Sequence, residues 1–254
     1  MIKAAFLALA LVIGAASPAA AADAADEAFE SRVFATREGL VGELTANGHR
    51  IARDDLFAAL PSRLGLAARG GGERTVQVCA AGRCVFVPVW DVGPWNTKDD
   101  YWNPRRQMWT DLPRGKPAAQ AAYQDGYHAG RDEFGRRVGN PAGIDLADRA
   151  FWEGLRLRDN AWVQVRFLWT GTAPRGSVRT DGSPLLVRDR PSRAGRVVGL
   201  AAGSAQVPIS CQVRGERIAG DARTTDLWDR VAPGMYVSHA FVTTATAFTA
   251  ATCL

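Results

Sequence analysis

Apolar and polar side chains alternate with a period of two along several short stretches of this chain, which is the spacing of β-strands. Residues 84–91 are apolar on both faces of such a strand and end in the carboxylate of Asp91. This pattern predicts a core strand that emerges at the rim of a barrel. Residues 75–79 are predicted to be its hairpin partner, joined to it through a turn at Gly82. Residues 161–169 alternate again and predict the strand that closes this part of the fold.

Three short stretches predict helices between these strands. Residues 54–60 are predicted to form one or two helical turns that Pro61 stops, and residues 117–123 a second short helix. A third helix is predicted over residues 145–155, with Asp145 as its N-cap residue. Strands outnumber helices, so the predicted fold class is mainly β.

The first residues carry the pattern of an export signal. After Met1-Ile2-Lys3, an apolar run spans residues 4–16 and is followed by small residues up to position 22, as in a secretory signal peptide over residues 1–22. The run is shorter than the roughly 20 apolar residues that a membrane helix needs, and no later run approaches that length. We therefore expect a secreted protein without a transmembrane segment, in which residues 23–33 form a polar lead-in.

The rest of the 254-residue chain is long enough for two domains of ordinary size. We expect a barrel domain over residues 34–170, a linker rich in Gly, Pro and Ser over residues 171–180, and a small second barrel over residues 181–254. In this second unit, short strands at barrel-like spacing are predicted over residues 184–188, 197–200, 206–213 and 236–242.

The four cysteines suit an exported chain, where thiols are oxidised to disulfides. Three pairings are possible. Cys79 and Cys84 flank a turn between two apolar strands, which predicts that they pair across a hairpin and leaves Cys211 with Cys253. The alternative for Cys79 and Cys84 is a metal site, but no histidine lies near them and no second pair has ligand spacing. Neither a metal nor another cofactor is therefore expected.

The formal charge is +5 with a pI near 9.3, and the basic residues are spread along the chain. For an exported protein the relevant anions are envelope polymers and lipid phosphates, so nucleic acid is not expected as a partner. The alternative is that the excess of arginine only keeps the surface solvated. The charge does not distinguish between the two.

The tail carries a motif with a family likeness. Pro-Leu-Leu-Val-Arg-Asp-Arg-Pro-Ser at 184–192, followed by Val-Val-Gly-Leu at 197–200 and Leu-Trp-Asp at 227–229, resembles bacterial SH3-like domains over almost all of residues 181–254. The resemblance implies a small barrel that serves as a binding module, often for cell-wall peptide or glycan. The same motif residues also build such a barrel, so the likeness alone assigns no ligand.

The larger unit carries three motifs in order. Thr-Ala-Asn-Gly at 45–48 precedes Val-Trp-Asp-Val-Gly-Pro at 89–94 and Gly-Ile-Asp-Leu at 143–146. Together they resemble the double-psi β-barrels of rare lipoprotein A, expansins and family 45 endoglucanases, from about Thr36 to Trp169. The resemblance implies a six-stranded double-psi barrel with short helices and a groove for a polysaccharide.

The same resemblance implies candidate catalytic residues, because cleavage of a glycosidic bond uses carboxyl groups to move a proton. Asp91 matches the aspartate that acts as acid or base in some lytic enzymes of this fold, and Asp145 matches its companion at the same groove. The alternatives are an N-capping role for Asp145 and a role for Asp91 in fixing the turn at Gly93. The chain departs from the rare lipoprotein A pattern at His49, which replaces an acid, and at Leu60, which replaces a histidine. Both departures count against catalysis.

Aromatic residues cluster after Asp91, and flat aromatic faces pack against the apolar faces of sugar rings. The candidate glycan-binding residues are Trp95, Tyr101, Trp102 and Trp109. The alternative for the tryptophans among them is a structural role. A core role is predicted for Trp152, Trp162 and Trp169.

Three functions are compatible with these features. The first is a secreted cell-envelope protein that holds peptidoglycan or a related polysaccharide with its barrel groove and its tail together. The second is a peptidoglycan lytic transglycosylase, or another glycan-cleaving enzyme, with Asp91 as acid/base. The third is a secreted inhibitor or protein-interaction module. The missing acid and histidine favour the first, and His128 and His239 are assigned no role.

Overall fold

The computed structural model describes residues 28–245 and 250–253. The predicted signal peptide, residues 1–22, and the first part of the lead-in lie outside the described residues. Within the described ranges, no helix is both long enough and apolar enough to cross a membrane.

Six strands of the first unit close into a barrel. Their bounds are β1 Glu30–Arg37, β2 Ala58–Leu60, β3 Thr75–Ala80, β4 Arg83–Val92, β5 Ala142–Leu146 and β6 Ala161–Phe167. They pair in the order β4-β2-β5-β1-β6-β3, and β3 returns to pair with β4. β1 is parallel to β5 and β2 is parallel to β4, while the other pairs are antiparallel. This closed, mixed circuit confirms the predicted six-stranded double-psi barrel.

β3 and β4 form the predicted hairpin. Cys79 lies opposite Cys84 in the strand register, and the two are joined by a disulfide. Cys211 and Cys253 form the second disulfide. Both predicted pairs are therefore confirmed.

Helical structure in the described residues is sparse. Helix α1 spans Ala118–Asp125 and ends at Gly126, which confirms the helix predicted over residues 117–123. Gly126 has a φ of 68°, the left-handed conformation in which glycine ends helices without strain. Single turns of 3-10 helix or related turns lie at Arg63–Gly65, Tyr127–Gly130, Leu168–Thr170 and His239–Phe241, and one turn of π-helix lies at Ala150–Gly154.

Of the other two predicted helices, the one over residues 54–60 is wrong, and the one over residues 145–155 is confirmed only in its second part. Residues 54–60 contain β2, because Ala58–Leu60 pairs with β4 on one side and β5 on the other, and this tertiary pairing overrides the local helical pattern. Asp145 is not an N-cap residue, since it lies inside β5 and pairs with both neighbouring strands. The helix begins after this strand and covers residues 148–154, where it ends in the π-helical turn Ala150–Gly154.

The second unit consists of short strands. Their bounds are β7 Arg175–Val178, β8 Leu185–Arg188, β9 Val197–Ala201, β10 Gln206–Pro208, β11 Cys211–Ala219, β12 Thr224–Ala232, β13 Met235–Ser238 and β14 Val242–Thr243. β11, β12, β13, β8 and β9 pair in that order, and β7 lies between β10 and β14 in a separate small sheet. β7 falls within residues 171–180, the stretch predicted as a linker. The division into two domains stays a prediction.

Main-chain hydrogen bonds join the two units. β9 runs parallel to the first half of β4, with Gly199 opposite Cys84, so the sheet continues from the barrel into the tail. Arg83 reinforces this junction by donating from Nε to the carbonyl of Gly154 and from Nη1 to that of Val197, each at 2.8 Å. One apolar core cluster also contains residues of both units. The tail is therefore packed directly on the barrel.

Candidate functional site

Three acidic side chains from neighbouring strands meet at one end of the barrel. Asp91 lies near the end of β4, Asp145 lies in β5, and Glu38 follows β1 directly. Ala59 of the intervening β2 lies opposite both Asp91 and Asp145, and Thr36 of β1 lies opposite Asp145 on the other side. All three acidic residues are half-buried. The strand register therefore brings together the two predicted catalytic residues, and it adds a third acid.

Glu38 is the member of this cluster that the sequence motifs do not mark. Its backbone N–H donates to the carbonyl of Leu146 at 2.9 Å, which extends the β1–β5 pairing by one residue. Oε2 of Glu38 is buried without a hydrogen-bond partner among the described residues. Burial raises the pKa of Glu38 to about 10, and a hydrogen bond to Asp91 and the charges of Asp145 and Asp91 add to the rise. Glu38 is therefore protonated at neutral pH and can donate to Asp91.

Asp91 is held by backbone amides. Its Oδ1 accepts from the N–H of Ala46 at 2.8 Å and from that of Val92 at 2.7 Å. Ala46 belongs to the Thr-Ala-Asn-Gly motif, and Asn47 next to it donates its backbone N–H to the carbonyl of Trp90 at 3.2 Å. Two of the sequence motifs therefore meet at Asp91, which acts in part as the anchor for the loop at 45–48.

Asp145 is the acid that titrates near the physiological range. Burial raises its pKa to about 6, the charge of Asp91 adds to the rise, and a hydrogen bond from the hydroxyl of Thr36 opposes it. A carboxyl group with such a pKa can release or take up a proton at mildly acidic pH. The cluster thus combines a protonated donor, an anchored acceptor and a group that changes charge.

His49 and Leu60, the two residues that depart from the rare lipoprotein A pattern, both make structural contacts. Nε2 of His49 lies 2.7 Å from Oδ2 of Asp55, and its ring centroid lies 4.7 Å from that of Trp90. Leu60 is fully buried in β2 as part of the barrel core. His49 is therefore engaged by Asp55, and Leu60 serves packing.

Three of the four predicted glycan-binding aromatics are in the interior. Tyr101, Trp102 and Trp109 are only 0%, 3% and 8% exposed. Tyr101 and Trp102 pack against Phe167, and the hydroxyl of Tyr101 donates to the carbonyl of Gly143 at 2.9 Å. The expectation that these three rings form a surface platform is corrected, because burial leaves no ring face for a sugar.

Trp95, the fourth, is half-buried in the loop that follows β4. Its Nε1 donates to Oδ1 of Asn140 at 3.0 Å, and its ring packs against a small apolar group next to α1. The loop over residues 125–136 lies along the same segment, since Arg136 donates to the carbonyl of Trp95 at 2.8 Å and Glu133 accepts from the N–H of Thr97. The role of Trp95 in glycan binding stays a prediction.

Trp152 is on the surface, contrary to the predicted core role. It is 49% exposed, and the guanidinium of Arg37 lies 4.8 Å from its ring centroid. Nη1 of Arg37 also donates to Oδ1 of Asp148 at 2.7 Å. The charge of Asp148 contributes to the raised pKa of Glu38, so Trp152 and Arg37 lie beside the acidic cluster. No sequence motif marks Trp152, and its place beside the cluster follows only from its contact with Arg37 in the fold.

Metal binding finds no support in the described part of the chain. Among residues 28–245 and 250–253, no group of three or more His, Cys, Asp or Glu side chains is arranged to hold a metal ion.

Comparisons with known proteins give one family and three distant structural likenesses. Streptomyces papain inhibitor is 15% identical with a TM-score of 0.32, covering 55% of this chain and 94% of that chain. The expansin of Clavibacter michiganensis is 13% identical, with TM-scores of 0.31 for a mutant in complex with cellohexaose and 0.30 for the apo form. Each covers 85% of this chain and 82% of that chain. No curated protein matches the chain. A family model matches residues 29–166, more than half of the chain and the span from β1 to β6, so the chain belongs to the family described as Domain of unknown function (DUF8814).

Proposed function

We propose that the protein is secreted and binds a polysaccharide of the cell envelope, peptidoglycan or a related glycan, at the acidic end of its barrel. The observation that carries this proposal is the convergence of Glu38, Asp91 and Asp145 on one level of the barrel. Gathering three acids in a partly desolvated place costs free energy, and the nearby cation, Arg37, is already bound to Asp148. Such arrangements are concentrated at functional sites.

The mixed protonation of the cluster suits a ligand rich in hydroxyl groups. Each sugar hydroxyl donates one hydrogen bond and accepts others. Protonated Glu38 holds Asp91 by a hydrogen bond, while Asp145 changes between a donor and an acceptor as it titrates near pH 6. Trp152 offers an exposed ring beside them, and the face of an indole packs on the apolar face of a sugar ring. Trp95 is a second candidate for such a contact.

The tail adds a second binding surface to this proposal. Its resemblance to bacterial SH3-like domains favours a binding role, and it carries a cleft of about 430 Å³ lined by apolar Leu185, Ile218 and Trp228 with Arg188 and Arg193. Because β9 is hydrogen-bonded to β4, the spacing between the two sites is fixed. A polymer that engages both gains affinity without any new contact at either site.

Secretion is supported by the two disulfides, Cys79 with Cys84 and Cys211 with Cys253. Disulfides persist in oxidising compartments outside the cytoplasm. The pattern of residues 1–22 favours the same conclusion.

Cleavage of the bound glycan is the second candidate function, and the raised pKa of Asp145, about 6, is the observation that favours it. The general acid in this version is Asp145 and not Asp91, because Oδ1 of Asp91 already accepts two backbone hydrogen bonds and Glu38 is bonded to the same residue. Protonated Asp145 would deliver its proton to the glycosidic oxygen as the bond from that oxygen to the anomeric carbon breaks. A hydroxyl of the sugar itself or a water would bond to the anomeric carbon, and the Asp145 carboxylate would take up its proton. Activity would then fall as the pH rises through 6.

The test compares pull-down on purified envelope glycans with release of soluble fragments. The proteins are the full chain and its Trp152→Ala, Asp145→Asn and Tyr123→Ala variants. Tyr123 is 53% exposed on α1 and serves as the matched exposed aromatic. We expect Trp152→Ala to lose binding and Tyr123→Ala to keep it. Equal binding by all four proteins would contradict the proposed site, and fragment release that Asp145→Asn abolishes would establish cleavage.

A further inference from the structure

A second cleft, away from the acidic cluster, is lined by arginines. It has a volume of about 310 Å³, and its lining includes Arg105, Arg106 and Arg114 together with Asn103 and Thr110. No acidic side chain belongs to this lining. Three guanidinium groups around one cleft make a strongly electropositive concave surface, which attracts and concentrates anions.

Arg106 is the buried member of this group. It is 7% exposed, its Nη1 donates to the carbonyl of Lys116 at 3.0 Å, and its Nη2 is paired with buried Asp99. Its Nε is buried without a hydrogen-bond partner among the described residues. A buried N–H of a charged group without an acceptor is costly. Arg106 is therefore held by contacts of both terminal nitrogens, and its Nε has no acceptor among the described residues.

Arg114 and Arg105 are exposed, and the fold holds Arg114 in place. The guanidinium of Arg114 lies 3.8 Å from the ring centroid of Phe29, and its Nε donates to the carbonyl of Trp102 at 2.8 Å. These contacts use Nε and one face of the guanidinium, so its two terminal nitrogens remain as donors. Arg105 follows a turn in which its backbone N–H donates to Oδ1 of Asn103 at 3.0 Å. The guanidinium of Arg114 is thus held in place before any ligand arrives, which lowers the entropy cost of binding.

We propose that this cleft binds a phosphate group. Asp99 is paired with Arg106, so Arg105 and Arg114 supply the two positive charges that face a ligand, and these match a phosphate dianion. Planar guanidinium groups bind phosphate oxygens through paired hydrogen bonds. A carboxylate has one charge and two oxygens, and it would satisfy a single arginine. The chemistry of the lining therefore selects phosphate over carboxylate.

The cleft is separate from the acidic cluster. Arg114 contacts Phe29 just before β1, whereas Glu38 follows the other end of that strand. Eight residues of strand at a rise of about 3.3 Å each span roughly 25 Å. The carboxylates are thus more than a Debye length from the cleft at physiological ionic strength and repel the anion little. The phosphate site is therefore independent of the proposed glycan site.

Calorimetric titration of the full chain with inorganic phosphate at constant ionic strength tests this site. We expect saturable binding of one phosphate per chain, weakened about tenfold by Arg105→Gln and also weakened by Arg114→Lys, which keeps the charge but loses the planar fork. Arg158→Gln is the matched control, because Arg158 is exposed outside the cleft and the substitution removes the same charge. Acetate should bind at least tenfold more weakly than phosphate.

A further titration with glycerol 3-phosphate distinguishes the source of the phosphate. Affinity equal to that for inorganic phosphate supports a phosphate ester as the natural ligand, and much weaker affinity supports free phosphate. Three results would overturn the proposal: phosphate binding that does not saturate, equal affinity for acetate, or a loss in Arg158→Gln as large as that in Arg105→Gln.

Discussion

Asp91 and Asp145 lie opposite the same residue, Ala59, from the two strands that flank β2. Neighbouring strands are about 4.8 Å apart, so the backbones of the two aspartates are about two strand spacings from each other. At this range the charge of Asp91 contributes to the raised pKa of Asp145. With Glu38 beside them, ionising all three acids at once is strongly disfavoured, and the barrel end keeps a proton at neutral pH.

This retained proton predicts that Glu38→Gln stabilises the protein at high pH. The folded state raises the pKa of Glu38 from 4.5 to about 10, so between these values the folded state holds a proton that the unfolded state has lost. The contribution of Glu38 to the free energy of unfolding is therefore most favourable below pH 4.5, and it falls as the pH rises towards 10. Glutamine keeps a hydrogen-bond donor at this position. Because it does not titrate, it removes the free-energy cost of keeping Glu38 protonated in the folded state at high pH. We expect a gain of about 1–3 kcal/mol at pH 8 and little change at pH 4, measured by denaturant unfolding.

Glu43→Gln provides the control for this prediction. Glu43 is exposed in the loop after β1, so the same substitution there removes an acid that the fold does not desolvate. Its unfolding free energy should match that of the unsubstituted protein at both pH values. A similar gain in both variants would show that the gain reflects net charge and not the buried proton of Glu38.

The burial of Trp102 and the exposure of Trp152 predict unequal losses of stability for two alanine variants. Trp102 is 3% exposed and stacks on Phe167, so Trp102→Ala should cost about 3–5 kcal/mol of unfolding free energy. Trp152 is half-exposed and loses mainly its contact with Arg37, so Trp152→Ala should cost about 0.5–1 kcal/mol. Thermal and denaturant unfolding of the two variants measure both losses of unfolding free energy. A loss in Trp152→Ala as large as that in Trp102→Ala would assign Trp152 to the core.

The barrel strands were predictable where their side chains alternate or are uniformly apolar. β4 is apolar on both faces and ends at Asp91, and its hairpin with β3 is confirmed by the disulfide between Cys79 and Cys84. The segment at Asp145 was not predictable in the same way, because Asp at the start of an apolar run is also typical of a helix N-terminus. Only its pairing with β1 and β2, contacts distant in sequence, makes it a strand.

The site was predictable only in part, for a related reason. Motifs marked Asp91 and Asp145, but Glu38 follows an ordinary strand and joins them only through the β1–β5 register. The aromatic platform failed because composition does not show which rings face inwards. The polar loop around Tyr101 and Trp102 folds over Phe167, so rings among polar neighbours in the sequence became core residues.

The junction between barrel and tail predicts a strong effect of one methyl group. A Cβ at Gly199 would lie 1.9 Å from the carbonyl oxygen of Cys84, in the pairing of β9 with β4. Gly199→Ala must therefore separate the two strands, and we expect a loss of about 2 kcal/mol or more. Gly139→Ala is the control, since its Cβ would meet only the Trp95 ring at 3.5 Å. Equal melting temperatures for the two variants would contradict the tight junction.

The two disulfides predict unequal losses of stability because they close loops of different length. Cys211 and Cys253 are 42 residues apart and Cys79 and Cys84 only 5. A cross-link stabilises mainly by restricting the unfolded chain, which gives about 4 kcal/mol for the long loop and about 2 kcal/mol for the short one. The long loop also secures the chain end on β11, where Gln212 donates to Ala251 at 2.8 Å and accepts from Cys253 at 2.9 Å.

Denaturant unfolding of the paired serine variants should show the larger loss for Cys211→Ser with Cys253→Ser. The reverse order would mean that the hairpin disulfide supports the barrel beyond its effect on the unfolded chain.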